Sequence, residues 1–289
     1  RPLEIPGGRR PQVMTSTNVL RDAAEGKRIN YGLRAAVIGG NNIAMEVART
    51  LLRQKVDEVT VIYPRSQEEM VANQRVIREA EREGVQFLLM ASPVQICEAD
   101  GGGLSVELVR MKLGEPDARG IRSPEAIPGT TNTIIVDTLV TSLGQMACVD
   151  GFSGGELEEQ IEISPNNSIN ASPRDFTTSV SGVYAAGDAV TGPRTVIQAV
   201  VGARRAAENI HAYIMDVPKE PAESRFNFTR CKTFDQVHLS NFDGVSIKLR
   251  EKMPTRPPQT AVQDFDVIKL GFNEQMARKE AERCLSCGC

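Results

Sequence analysis

The chain has no tryptophan, only two histidines, and aromatic residues amounting to 4% of its length. So few ring faces argue against a platform for stacked bases or sugars. Neither sign of charge is in excess: 34 Lys plus Arg against 37 Asp plus Glu leave a formal net charge of -3. A dedicated nucleic-acid binder would carry a basic surplus. No apolar run approaches the ~20 residues that a membrane-spanning helix needs. The opening Arg1-Pro2-Leu3-Glu4 holds neither an initiator Met nor the apolar core of a secretory signal, so a start partway through a longer product is expected. Six cysteines are too few for a disulfide scaffold. Cys97, Cys148 and Cys231 stand apart, Cys97 and Cys148 read as small buried residues, and the usage fits a reduced, cytoplasmic protein.

What is present is a globular composition, 40% hydrophobic and 25% charged over 289 residues, enough for one large domain or two ordinary ones. Residues 1–31, rich in Pro and Gly, read as a linker and domain edge with a short helix over 17–24. A buried strand over 34–38, a glycine turn, a helix over 43–54 and a strand over 59–63 then make a βαβ unit. A helix over 68–83 closed by Gly84 and a strand over 85–89 continue it. Alternation over 93–98 and 104–112 around Gly101-Gly102-Gly103 predicts a hairpin, 114–131 a polar loop, and 133–143 a single strand. Further on come a short strand over 183–186 and a helix over 195–214, whose apolar face carries Val196, Val200, Ala203, Ala207, Ile210 and Ile214. A Pro-punctuated extension ends in a helix over 273–283.

Gly39-Gly40-Asn41-Asn42-Ile43-Ala44 lies between a strand and a helix, the setting of a dinucleotide fingerprint. In that fingerprint the first glycine makes the tight turn, the second lets backbone approach a pyrophosphate, and the third small residue packs helix on strand. Gly39 and Ala44 fill the outer roles, while Asn41 holds the middle one with a Cβ that would crowd the pyrophosphate. The helix N-terminus supplies free N–H groups and a partial positive charge. After the second strand, Arg65 stands where an acid would favour NAD and an arginine NADP. A solvated loop arginine is the other reading.

The run 37–46, together with Tyr63-Pro64-Arg65-Ser66-Gln67-Glu68-Glu69-Met70, resembles the pyridine-nucleotide domain of the glutamate synthase small-subunit family, flavin-dependent NAD(P)H oxidoreductases with two dinucleotide-binding domains. The family pattern has three glycines in the turn and two arginines after the second strand. This chain differs at Asn41, Pro64 and Gln67. Thr141-Ser142-Leu143-Gly144-Gln145 resembles the family's return to the flavin domain, which implies Gly144 and Gln145 near a nicotinamide. The segment 182–188 resembles its second FAD motif, with Gly187-Asp188 at the ribityl or pyrophosphate region, although taken alone Gly187-Asp188 reads as an ordinary strand-to-helix turn. Pro193-Arg194-Thr195-Val196-Ile197 resembles the helix start that faces the isoalloxazine ring. The family's first FAD-binding GxGxxG has no counterpart before Val37.

The resemblance implies an α/β fold: a Rossmann-like NAD(P)-binding domain, parallel sheet plus β-meander, inserted in a partial FAD-binding Rossmann-like domain. The expected divisions are 1–31 as flavin-domain edge, 32–143 as the NAD(P) domain, 144–216 as the later part of the flavin domain, and 217–289 as an extension. Cys284, Cys287 and Cys289 form a CxxCxC that suits an iron–sulfur cluster or zinc, and the preceding helix resembles the family's cluster-binding segment, which implies 4Fe-4S. The expected activity is electron passage from NAD(P)H through FAD to iron–sulfur centres of partner subunits or domains, which would also supply the first half of the FAD site. Such a reaction needs positioning rather than an acid or base, and no catalytic side chain is nominated. His211 and His238 read as surface or packing residues. A cofactor-degenerate scaffold and a simple dehydrogenase are the competing readings; the latter needs a catalytic His, Lys or Tyr constellation that the sequence does not offer.

Overall fold

A computed structural model describes residues 3–116, 120, 122–149, 161–217, 240, 243–244, 246 and 248–284. Two compact units divide the chain, 1–217 and 218–289. The first is built on a sheet of β1 (Val13–Thr15), β2 (Arg34–Ile38), β3 (Glu58–Tyr63), β4 (Gln86–Leu89) and, from later in the chain, β8 (Thr138–Thr141). Their order is β1-β8-β2-β3-β4, with every pairing parallel.

Helices α1 (Ser16–Ala24), α2 (Asn42–Arg53) and α3 (Gln74–Glu83) cover one face. A three-stranded antiparallel meander of β5 (Ala91–Glu98), β6 (Leu104–Pro116) and β7 (Arg122–Val136) covers the other. The period-2 geometry of β2 explains how one strand serves both layers. Ala35 and Val37 pack with Met45, Leu51, Val59 and Ile77 on the helical side, whereas Ala36 and Ile38 pack with Ile96, Leu104 and Leu139 on the meander side. Burial on two faces is why this parallel sheet reads as unbroken apolar runs rather than alternation.

Several expectations are corrected. The first 31 residues are not only a linker: β1 adds the outer strand beside β8, and Val19 of α1 and Tyr31 are buried at 0% and 2% exposure. Helix α3 begins at Gln74, not near residue 68, because Asn73 caps it by accepting the Arg75 N–H at 2.9 Å while the residues before it form turns. The polar run 114–131 is no loop; much of it extends β6 and β7 into a long ribbon, paired from Leu104↔Val136 out to Pro116↔Arg122.

The single strand expected over 133–143 is cut at Asp137. Its carboxylate accepts the N–H groups of Leu33 and Arg34 at 2.8 and 2.9 Å, so β7 ends in the meander and β8 begins in the parallel sheet. Residues 183–186 form no strand, only an isolated bridge between Thr177 and Tyr184.

Helices α4 (Asp188–Thr191) and α5 (Val196–Met215) follow. The apolar face expected on α5 is exposed, Val196 at 79% and Ile214 at 71%, and the helix instead buries Gly202, Ala206 and Ala212. The small residues face the segment around Gly187, where the site of a Gly202 Cβ is in ordinary contact, 3.5 Å from the Gly187 nitrogen and 3.6 Å from the Ala186 Cβ. Cys97 and Cys148, read as buried, are exposed.

The second unit carries α6 (Pro258–Ala261), a bridge between Thr255 and Lys269, and α7 (Glu274–Ala281) capped by Asn273. No helix among the described residues is long and apolar enough to cross a membrane.

Candidate functional site

β2 is the point at which the sheet changes direction. From it the chain goes to β3 on one side and later returns to β8 on the other. The crevice outside the carboxyl ends of two such strands is where open α/β sheets bind ligands. Here it is flanked by the turn 39–41 that leads into α2 and by Ser142 and Leu143, which follow β8. The cleft at this edge has a volume of about 410 Å³, with Ile38, Tyr63, Pro64, Val71, Ala91 and Leu143 among its walls.

The two glycines of the turn are required for different reasons. Gly39 has φ +143°, and a Cβ there would lie 2.6 Å from the Ser142 carbonyl oxygen. At Gly40 a Cβ would lie 2.4 Å from the ring of Tyr63. That ring is fixed by its hydroxyl, which donates to the Glu69 carbonyl at 3.0 Å. Burial raises the Tyr63 pKa, outweighing the nearby Arg65 charge, so the phenol remains a donor.

Asn41 has φ -100° and ψ 173°, extended backbone open to any residue, so its side chain and not its backbone is what sets this turn apart. Asn41 is the N-cap of α2: Oδ1 accepts the Ala44 N–H at 2.8 Å. The same oxygen accepts the Ser142 hydroxyl at 3.0 Å, and Nδ2 donates to the Ser142 carbonyl at 3.0 Å. Asn42 turns the other way and accepts the Asn73 N–H at 2.8 Å, tying the turn to the start of α3. Among the described residues no acceptor faces the Asn42 and Ile43 N–H groups, the open donors of the helix N-terminus.

Arg65 lies one loop away. Its carbonyl accepts the Met90 N–H at 3.2 Å, which holds its backbone, and its guanidinium has no hydrogen bond among the described residues. Glu69 accepts the Ser66 N–H at 3.2 Å. The Glu68 carboxyl is held below its usual range by its own backbone N–H and then by Ser66. Gln67 is drawn off to Glu81 at 2.7 Å, leaving Arg65 as the loop's cation. Gly144 follows β8, and Gln145 lies 3.5 Å from the Thr17 hydroxyl of α1.

The second group of expected residues gathers around α4 and the start of α5. Gly187 has φ 68° and ψ -151°, a conformation only glycine adopts readily. Asp188 accepts the Arg194 N–H at 3.2 Å through one oxygen. Thr195 and Gln198 form a capping box, with Gln198 N–H to Thr195 Oγ1 at 3.3 Å and Thr195 N–H to Gln198 Oε1 at 3.1 Å. The Val196 and Ile197 N–H groups are then the open donors of α5, beside exposed Val196 and Ile197 side chains. A glycine-only backbone conformation, a carboxylate and the open N–H groups of a helix N-terminus here make a surface suited to a hydroxyl and an anion.

Cys284 is exposed, and Cys287 and Cys289 lie outside the described residues, as do Cys231 and His238. Among the described residues no group of three His, Cys, Asp or Glu is placed to hold a metal ion. Reading the sequence alone overlooks Ser142 and Tyr63 as site residues. The available signal for Ser142 was a small polar residue directly after the strand that returns beside the first one.

Comparison with known proteins places the chain in a family. The family model described as pyridine nucleotide-disulphide oxidoreductase matches residues 1–207. The chain is 36% identical over 259 residues to the NADP(+)-dependent formate dehydrogenase subunit beta of Moorella thermoacetica, covering 89% of this chain and 36% of that protein. It is 36% identical over 186 residues to the glutamate synthase [NADPH] small chain of Escherichia coli (strain K12), covering 62% of this chain and 38% of that one. It thus spans less than half the length of either relative. A crystal structure of T. acidophilum thioredoxin reductase superposes with a TM-score of 0.55 at 19% identity, covering 74% of this chain and 62% of that one, which shows the shared Rossmann-type fold. The chain belongs to the pyridine nucleotide-disulphide oxidoreductase family, in its glutamate synthase small-subunit-like branch.

Proposed function

We propose that the chain is the nicotinamide-nucleotide portion, with part of the flavin portion, of an NAD(P)H-dependent oxidoreductase that feeds electrons into a larger cytoplasmic iron–sulfur complex. The observation that carries this reading is the glycine turn at the switch point, where the Asn42 and Ile43 N–H groups are open to a pyrophosphate and Arg65 is open to an adenosine 2′-phosphate. Gly39 and Gly40 let the turn lie close against the Ser142 carbonyl and the Tyr63 ring, and Asn41 is among the residues that line the cleft. Gly144 and Gln145 follow Ser142 and Leu143 at the same strand ends and would flank the nicotinamide.

Gly187, Asp188, Thr195, Val196 and Ile197 would hold FAD. Gly187 would allow a close approach of backbone, Asp188 would offer its second oxygen to a hydroxyl, and Thr195, as the cap of α5, would hold that helix's open N–H groups ready for the cofactor. When bound, FAD supplies the ring that accepts a hydride and passes electrons on singly. The protein's own contribution would be orientation and exclusion of water rather than proton transfer. Cys284, Cys287 and Cys289 would be thiolate ligands of a 4Fe-4S cluster, supported by their CxxCxC spacing. The formate dehydrogenase and glutamate synthase relatives are named as a subunit and a small chain, which supports redox partners beyond this chain.

The test is an anaerobic titration of the natively purified protein with NADPH and with NADH. Bleaching of a flavin spectrum by either nucleotide is expected. A native preparation without flavin, or one that neither nucleotide reduces, overturns the reading in favour of a scaffold.

A further inference from the structure

The second glycine of a dinucleotide turn provides empty space at the helix N-terminus. In this chain that space carries the Asn41 carboxamide, and all of its polar atoms are engaged within the protein. Oδ1 receives the Ala44 N–H at 2.8 Å and the Ser142 hydroxyl at 3.0 Å, while Nδ2 gives to the Ser142 carbonyl at 3.0 Å. Ser142 is 4% exposed and its N–H donates to the Ile38 carbonyl at 2.8 Å, so the far end of this latch is anchored at the carboxyl end of β2. The carboxamide oxygen therefore does at the α2 N-terminus what a phosphate oxygen does in a dinucleotide complex: it accepts a first-turn N–H in the positive end of the helix. The backbone does not demand it, since φ -100° is available to any residue.

We propose that Asn41 is a built-in competitor for the diphosphate of the incoming nucleotide, and that the Asn41–Ser142 latch sets the affinity of this turn. The proposal rests on the nucleotide reading above and adds to it a residue that tunes binding. The N–H groups of Asn42 and Ile43 stay open, so the latch lowers affinity without closing the site. Its effect is confined to ligands that bring a diphosphate to the turn. A mononucleotide bound through its adenosine 2′-phosphate does not reach the carboxamide.

The experiment uses the natively purified full chain and measures dissociation constants for NADPH, ADP-ribose and adenosine 2′-monophosphate by calorimetry. The variants are Asn41→Gly, which vacates the space, and Asn41→Ser, which keeps a helix cap with a shorter reach. Glycine and serine are both accepted N-cap residues, and circular dichroism verifies that each variant is folded. Asn41→Gly is expected to tighten NADPH and ADP-ribose about tenfold, the effect of freeing one helix donor and its space. Asn41→Ser should fall between, and adenosine 2′-monophosphate should stay within about twofold. Unchanged or weaker diphosphate binding in both folded variants overturns the proposal, while saturable binding by the wild type keeps the functional reading intact. If the wild type binds nothing and Asn41→Gly gains binding, the competitor role stands and the functional reading falls. If no form binds, both fall.

Discussion

At Gly40 the chain runs flat against the ring of Tyr63, and the hydroxyl bond to the Glu69 carbonyl keeps that ring from stepping aside. A methyl group has to push either the turn or the end of β3. Gly40→Ala is expected to destabilise the protein by about 1–3 kcal/mol, the usual cost of overpacking. Shrinking the ring with Tyr63→Leu should recover part of that loss. The cost of the double variant in urea denaturation will therefore be less than the sum of the two single costs; strict additivity would show that the contact is not the cause. Glycine at 39 and 40 is legible in the sequence, because a strand–turn–helix context explains it. The role of Asn41 is not, since its partner Ser142 is 101 residues away and becomes a neighbour only once β8 inserts beside β2.

Between α2 and α3 a charged cluster is built into the packing. Glu83, 4% exposed at its side chain, receives Arg49 at 2.6 Å and Arg53 at 2.8 Å. Burial by itself would push the Glu83 carboxyl up, but the hydrogen bonds and charges of the two arginines outweigh it and hold the group below its usual range. The folded pKa is thus lower than the unfolded one, so the stabilisation is fully present above about pH 4.3, the ordinary glutamate value, and is lost as pH falls toward the depressed value. Glu83→Gln is expected to cost about 3–5 kcal/mol at neutral pH by removing the carboxylate from buried Arg53, while Arg49 keeps Glu79 at 3.2 Å. The gap between wild type and variant in denaturation midpoint should narrow below about pH 4. A gap that does not change with pH would mean the carboxylate charge contributes nothing.

Elements at this scale divide by what buries them. The βαβ core is readable because two-faced burial leaves unbroken apolar strands and a three-and-four spaced helix. The ribbon 104–136 is not readable over 114–131 because most of its described side chains there face solvent and its pairing is backbone to backbone. β1 is three residues in a Pro- and Gly-rich stretch, held by its position beside β8 rather than by any pattern of its own. The apolar residues of α5 follow helical spacing correctly, yet within this chain the buried side is the small-residue stripe of Gly202, Ala206 and Ala212.

Across the whole molecule the formal net charge of -3 cannot draw a polyanionic nucleotide toward the crevice, so any preference for a phosphorylated ribose has to arise locally. The parallel topology places the loop after β3 beside the switch point, and in that loop Glu68 and Glu69 are folded back onto Ser66 while the Arg65 guanidinium has no hydrogen bond among the described residues. A single charge-assisted contact of this kind contributes about 1.5–3 kcal/mol. Arg65→Ala is therefore expected to raise the KM for NADPH by about 10- to 100-fold and to leave the KM for NADH within about twofold. Because the contact is at the surface, the wild-type preference should shrink as ionic strength rises past the point where the Debye length falls below about 10 Å, and the variant should show no such dependence. Steady-state kinetics with both nucleotides at low and high salt measure this. An equal loss with NADH and NADPH would make Arg65 a general anchor of the loop and move the source of discrimination elsewhere in the crevice.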